Sequence, residues 1–81
     1  MKAIINIGLK KGVLDSAGKA AHHTLDTVGF ASIVKDVRIG KQIIMELNCD
    51  NEVTAKEEAT KMCEQLLANT VIEDYDITIE A

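Results

Sequence analysis

The sequence predicts an α+β domain of order βαββαβ, a four-stranded antiparallel sheet with both helices on one face. Three observations predict it. Apolar residues alternate along four short stretches, which is strand periodicity. They recur at three- and four-residue steps along two others, which is helix periodicity. Glycine, aspartate or asparagine stands at most of the joints, where turns and caps need them.

The first strand is read from Ala3, Ile5, Ile7 and Leu9, which alternate with Lys2, Ile4, Asn6, Gly8 and Lys10. Lys11-Gly12 ends it. Asp15 and Ser16 both suit the start of a helix, since their oxygens can accept from free N–H groups of the first turn. Ala17, Ala21, Leu25 and Val28 then form one narrow stripe. Gly29 follows where a helix closes on a left-handed residue, and Phe30 is expected to pack back on the helix end. Ile33, Val37 and Ile39 share one parity and predict a second strand, with Lys35 the polar exception. Gly40-Lys41 reads as a tight reversal into a third strand carrying Ile43, Met45 and Leu47, so residues 33–48 are expected to form a hairpin. Asp50 and Asn51 are turn or cap residues. Ala55, Ala59, Met62, Cys63 and Leu66 predict the second helix, with Leu67 at the edge of the stripe. Glu52–Lys56 and Glu57–Lys61 are favourable pairs on its outer face. Asn69 is a suitable stop. Tyr75, Ile77 and Ile79 alternate in the last strand.

This order is the ferredoxin-like pattern. One sheet face lies under two apolar helix stripes. The other face would show Ile4, Val34 and Ile44 among polar residues, more apolar than an open face needs. That face, or an edge strand, is therefore expected to meet another copy.

The chain has 81 residues and no linker-like stretch, so residues 1–81 are read as one domain. With one Phe, one Tyr and no Trp, the core must come from Ile, Val, Leu, Ala and Met. The net charge of -4, without a basic face or stacking aromatics, argues against nucleic acid. No apolar run is long enough to span a membrane, and the N-terminal segment is broken by Asn6 and Gly8, unlike a signal peptide. A cytoplasmic location is expected. Cys49 and Cys63 form no C-x-x-C pair and read as two reduced thiols. No metal or cofactor site is expected on this chain.

No set of residues reads as a catalytic centre. Gly8 and Gly12 lack phosphate-loop spacing. His22 and His23 are helix neighbours, which point about 100° apart, and read as exposed surface. Glu73, Asp74 and Asp76 suggest an acid–base pair but have no His, Cys or Ser placed to join them. Arg38, Gly40 and Lys41 are the best candidates to bind an anion or an acidic partner loop, with simple surface charge as the other reading.

Four ordered motifs carry a resemblance. Lys10 through Gly18 contains Gly12-Val13-Leu14-Asp15 and a following glycine, with Ser16 in place of a proline. Leu25 is followed by Gly29-Phe30, and Val37-Arg38-Ile39-Gly40-Lys41 forms a V-R-x-G-K segment. Leu66 through Tyr75 reads LLANTVIEDY, with Thr70 in place of a proline. On these residues the chain resembles the PurS family, small subunits of formylglycinamide ribonucleotide amidotransferase.

The resemblance implies a non-catalytic subunit in purine biosynthesis, a homodimer or dimer of dimers. It would join an ATP-dependent PurL-type synthetase to a PurQ-type glutaminase, so that ammonia passes between their active sites. ATP and magnesium would belong to the synthetase. The subunit contacts would fall on three turns: Lys10, Lys11, Gly12, Asp15 and Gly18 in the first; Arg38, Gly40 and Lys41 in the second; Asn69, Glu73 and Tyr75 in the third. The alternative reading is a stand-alone ferredoxin-like small-molecule-binding regulatory domain, and an acylphosphatase or a metallochaperone are further rivals of the same topology. The last lacks its paired cysteines here, and the acylphosphatase loop cannot be placed.

Overall fold

Alternation along the first strand puts Ala3, Ile5 and Ile7 on one face, and that face is the core. The computed structural model describes residues 1–81. Strand β1 (Lys2–Leu9) is central, paired antiparallel to β2 (Lys41–Glu46) on one side and β3 (Glu73–Glu80) on the other. Register sets Ile5 opposite Ile43 and Ile77, and Ala3 opposite Met45 and Ile79. Helix α2 (Glu52–Met62) lays Ala55, Ala59 and the adjoining Cys63 on this face, all fully buried. Small side chains let the helix approach the sheet closely. Asn51 caps it, accepting from the N–H groups of Val53 (2.8 Å) and Thr54 (3.2 Å).

The end of α2 departs from the predicted stripe. Residues Cys63–Leu67 form one wide turn, in which the Ala68 N–H donates to the Cys63 carbonyl at 3.1 Å. Leu67 therefore packs on the core while Leu66 is left 83% exposed. Lys61 pairs with Glu58 at 3.3 Å rather than with Glu57.

The larger departure is in the first half. The sheet has three strands, not four. Ile33 lies in a turn, its N–H donating to the Phe30 carbonyl at 3.0 Å, residues 34–40 belong to no strand, and residues 35–39 make no backbone-to-backbone hydrogen bond. The predicted reversal at Gly40-Lys41 does not occur. Positive φ is confined to Gly12 and Gly29, so Gly40 does not adopt the left-handed turn conformation. Gly40 still lies against the end of β1, where an added Cβ would stand 2.5 Å from the Ile7 carbonyl oxygen. The chain thus enters β2 in line with the preceding segment, and β2 keeps a vacant edge.

Helix α1 (Ser16–Leu25) starts where predicted, capped by Asp15, whose carboxylate accepts from the Gly18 N–H at 2.8 Å. It does not lie on the sheet. Gly18 is its only buried residue, Ala17 is exposed, and Val28 in the following turn is 63% exposed. The helix runs instead beside residues 34–37. His22 Nε2 is 3.2 Å from the Val34 carbonyl, and Gly18 faces the Val37 carbonyl too closely for any side chain. His22 is accordingly half-buried, contrary to the exposed reading, while His23 is exposed.

The result is long and thin, 48 × 26 × 13 Å. Its radius of gyration is 16.1 Å, against about 12 Å for a compact chain of this length. Its accessible surface is 5838 Å², against about 4,800 Å² for a compact protein of this mass. Only 9 of 81 residues are buried, so the chain hides less of itself than an independent domain normally does.

Candidate functional site

The three motif-bearing turns meet at one end of the sheet. Arg38 joins two of them. Its guanidinium donates to the Leu9 and Lys10 carbonyls at 3.2 Å each and to the Val13 carbonyl at 3.3 Å. Five fixed donors suit guanidinium to several carbonyls at once. Asp15 ties the same two segments from the other side. Besides capping α1, it accepts from the Ile39 N–H at 2.7 Å, and it is almost wholly buried. Gly12 supplies the positive φ, 92°, that lets the first turn bend between them.

The third turn is attached by backbone and charge. The Lys10 N–H donates to the Ile72 carbonyl at 2.8 Å, and Lys10 Nζ stands 4.0 Å from Asp74. Lys41 Nζ is 3.9 Å from Glu73. Glu73 also accepts from the Asn69 N–H at 2.7 Å, while the Asn69 carbonyl accepts from the N–H groups of Ile72 and Glu73. Asn69 and Glu73 thus close the turn on each other, without the missing proline. Tyr75 points elsewhere. Its hydroxyl donates to Glu64 at 2.7 Å, and that bond pushes its pKa up to about 12. Lys11 stands exposed at the tip of the first turn.

Sequence reasoning placed these residues near one another only through the resemblance. It did not see that Arg38 is engaged within its own chain, because the acceptors are main-chain carbonyls of residues 9–13, which carry no side-chain signal. Nor did it see Ile39, Glu64 or Val37 as partners. The acidic residues near the C-terminus do not converge. Glu73 faces Lys41, Asp74 faces Lys10, and Asp76 accepts from Asn6 at 3.1 Å. They form no acid–base pair.

The open sheet face adds a polar ladder. Gln42 donates to Asn6 at 2.9 Å, and Asn6 donates to Asp76, spanning all three strands. Ile44 and Ile4 lie in the row beside it. Beside Gly8, where an added Cβ would meet nothing, lies a shallow cleft of about 540 Å³, bordered by Asn6, Gly40, Lys41, Gln42, Asp74 and Asp76. No histidine, cysteine or serine lines it. Cys63 is fully buried, and burial, helped by Glu64, pushes its thiol up in pKa, away from the thiolate a nucleophile needs. Cys49 is half-buried, and both thiols are free. This end of the molecule can hold a surface in shape and present polar and charged groups; it does not assemble a reacting pair.

The Asp15 carboxyl is held below its ordinary pKa of 3.8 by the Ile39 N–H first and the Gly18 N–H second, with Arg38 adding to the effect and burial opposing it. A depressed carboxyl stabilises the fold above its unfolded pKa, and that contribution is lost as pH falls through the folded value. Acid should therefore loosen the junction of residues 15, 18 and 39 below about pH 4. Urea unfolding between pH 6 and pH 3 is expected to show a shallower acid decline for Asp15→Asn than for the parent. Identical declines would show that Asp15 is not linked to folding.

Comparison with known proteins gives one family. The model of the PurS family of phosphoribosylformylglycinamidine (FGAM) synthase matches residues 2–81. The phosphoribosylformylglycinamidine synthase subunit PurS of Methanocaldococcus jannaschii is 44% identical over 79 residues, covering 98% of this chain and 94% of that one. The PurS subunit of Bacillus subtilis is 44% identical over 82 residues, covering 98% and 92%. Among solved structures, M. jannaschii PurS superposes with a TM-score of 0.88 at 44% identity, over 98% of this chain and 94% of that one. A chain of the PurLQS structure from Thermotoga maritima superposes with a TM-score of 0.86 at 33% identity, over 95% and 93%. The ordered motifs, the arrangement of strands and helices, and these full-length similarities agree, and the chain belongs to the PurS family of phosphoribosylformylglycinamidine synthase subunits.

Proposed function

We propose that this chain acts in purine biosynthesis as the non-catalytic small subunit of phosphoribosylformylglycinamidine synthase, docking a PurQ-type glutaminase onto a PurL-type ATP-dependent synthetase. The observation that carries the reading is the cluster of three family motifs knitted into one rigid end by Arg38, Asp15, Lys10 and Lys41, without a reacting group among them. Passage of ammonia between two active sites is a problem of alignment and exclusion of water, which a rigid contact surface serves. The T. maritima PurLQS structure supports the partners, since it contains a chain of this fold. ATP, magnesium and the ribonucleotide belong to the synthetase, and this subunit contributes no cofactor. A subunit of a purine-biosynthetic enzyme would work in the cytoplasm; no helix here is long and apolar enough to cross a membrane.

The same reading includes self-association, as a homodimer or dimer of dimers. The vacant edge of β2, the helix that misses its own sheet and the large exposed surface all support a second copy.

Charge reversal at the cluster tests the docking role. In the reconstituted complex, Lys11→Glu together with Lys41→Glu should lower glutamine-dependent FGAM formation by about tenfold, while the rate with ammonia as nitrogen source is retained. If both rates survive unchanged, or both fall together, the cluster is not the docking surface for the glutaminase.

A further inference from the structure

Basic charge is unevenly spread on this acidic chain. Six of its nine lysines and arginines fall in two short segments, residues 10–19 and 35–41, with only Asp15 and Asp36 of its thirteen acids. The fold lays these segments together, because Arg38 reaches across to the Leu9, Lys10 and Val13 carbonyls and Gly18 lies against the Val37 carbonyl. Three of the six cations have partners inside the chain. Arg38 holds those carbonyls, Lys41 faces Glu73 and Lys10 faces Asp74. Lys11, Lys19 and Lys35 are exposed and belong to no ion pair.

The turn at Lys11 and Gly12 adds donors of its own. Gly12 has a φ of 92°, and the Val13 N–H returns to the Lys10 carbonyl at 3.0 Å. The N–H groups of Lys11 and Gly12 donate to nothing within the chain. Neighbouring N–H groups left open by a turn with a left-handed residue suit an anion. Two shallow hollows of about 290 Å³ each flank this turn. Lys11, Gly12, Asp36 and Arg38 line one, and Gly12, Lys19, Asp36 and Arg38 border the other. Lys35 lines neither. Asp15 also borders the second hollow, but its oxygens accept from the Gly18 and Ile39 N–H groups. Asp36 is the acid common to both, and its Oδ1 accepts from the Val37 N–H at 2.9 Å. The three cations Lys11, Lys19 and Arg38 outweigh these two acids.

We propose that the surface formed by the Lys11–Gly12 turn, Lys19 and Arg38 receives an acidic loop of the glutaminase, whose carboxylate accepts from the open N–H groups of the turn and faces Lys11 and Lys19. Charge complementarity selects that occupant. A chain of net charge -4 repels an acidic partner over most of its surface and attracts it here. The site therefore sets the orientation of the partner as well as its affinity. Arg38 is a positioning residue in it. Its fork fixes the turn by three carbonyls and adds a positive charge that the chain's own acids do not neutralise. The site rests on the docking role argued above and names the chemistry of the partner.

Titrating the full-length small subunit into a fixed mixture of synthetase and glutaminase tests it. Glutamine-dependent product formation then gives a half-saturating concentration and a plateau rate. Lys19→Glu should raise the half-saturating concentration by about tenfold and leave the plateau in place. Lys56→Glu, the same charge change at an exposed position of α2, should alter neither. Asp36→Asn should act the other way and lower the half-saturating concentration by about threefold. Salt raised from about 0.05 to 0.3 M should weaken the parent and narrow its lead over Lys19→Glu. Arg38→Lys keeps the charge but not the fork, so it should shift the amide resonances of Lys11 and Gly12 in the free subunit and raise the half-saturating concentration with an unchanged plateau. A parent chain that does not raise the glutamine-dependent rate overturns the docking role and this site with it. A parent that does, with equal effects of Lys19→Glu and Lys56→Glu or weaker binding by Asp36→Asn, overturns the site alone. A Lys19→Glu defect that also lowers the ammonia-dependent rate overturns the glutaminase as the occupant. Unmoved resonances in Arg38→Lys overturn the positioning role of Arg38.

Discussion

Truncating Ile5 to alanine is expected to destabilise the chain by about 3 kcal/mol, the middle of the range for removing most of a buried isoleucine. Ile5 is fully buried at the centre of the central strand, in one cluster with Ile7, Cys63 and Ala68 and flanked by Ile43, Met45, Tyr75 and Ile77. A core this small supplies only about 3–5 kcal/mol net, so the variant should be largely unfolded at low concentration. Urea unfolding at one fixed chain concentration measures it. Ile44→Ala is the comparison, because Ile44 sits on the opposite face of β2 and is 57% exposed. A loss below about 1 kcal/mol for Ile5→Ala, similar to that for Ile44→Ala, would show that the α2 face is not the core.

The second large effect runs against helix propensity. Replacing a helical glycine by alanine normally gains about 1 kcal/mol. Gly18→Ala should instead destabilise, by about 1–3 kcal/mol, the usual cost of forcing atoms into a packed site. The new methyl would collide with the Val37 carbonyl, which is backbone and cannot swing aside, and would stand 2.9 Å from the Asp15 carboxyl carbon. The steric term therefore wins. Relief would come from parting α1 from residues 34–37, so amide exchange should quicken there and not along β1 or β3. Gly18→Ala that matches or exceeds the parent in stability would mean that helix and extended segment do not touch as described.

These two positions show what was legible in the sequence and what was not. Ile5 was legible, because period-two alternation assigns a strand residue to a face whatever its partners are. The starts of both helices were legible for a similar reason, since Asp15 and Asn51 act within three residues of themselves. Gly18 was not, because the group it meets lies 19 residues away on an unpaired segment. The hairpin at Gly40 was misread on the same ground. A glycine between two alternating stretches fits a reversal and a straight passage equally, and the choice is made by Arg38 and Asp15 through main-chain partners. Parity showed which face Ile33 and Val37 occupy but not whose strand they border. The α1 stripe failed likewise, since Ala17, Ala21 and Leu25 describe a face without saying what covers it. The three motif turns were named by resemblance alone; their union at one end of the sheet is a long-range fact set by strand register.

The 13-Å thickness of the molecule also bears on its thermodynamics. A slab with a single layer of interior has little nonpolar area to hydrate when it opens. The heat-capacity increment of a lone chain should accordingly fall below the roughly 1.0–1.2 kcal/mol/K that an ordinary fold of this length would give. Its melting is then broad, and a sharp calorimetric transition would belong to associated chains, with a midpoint that climbs as protein is added.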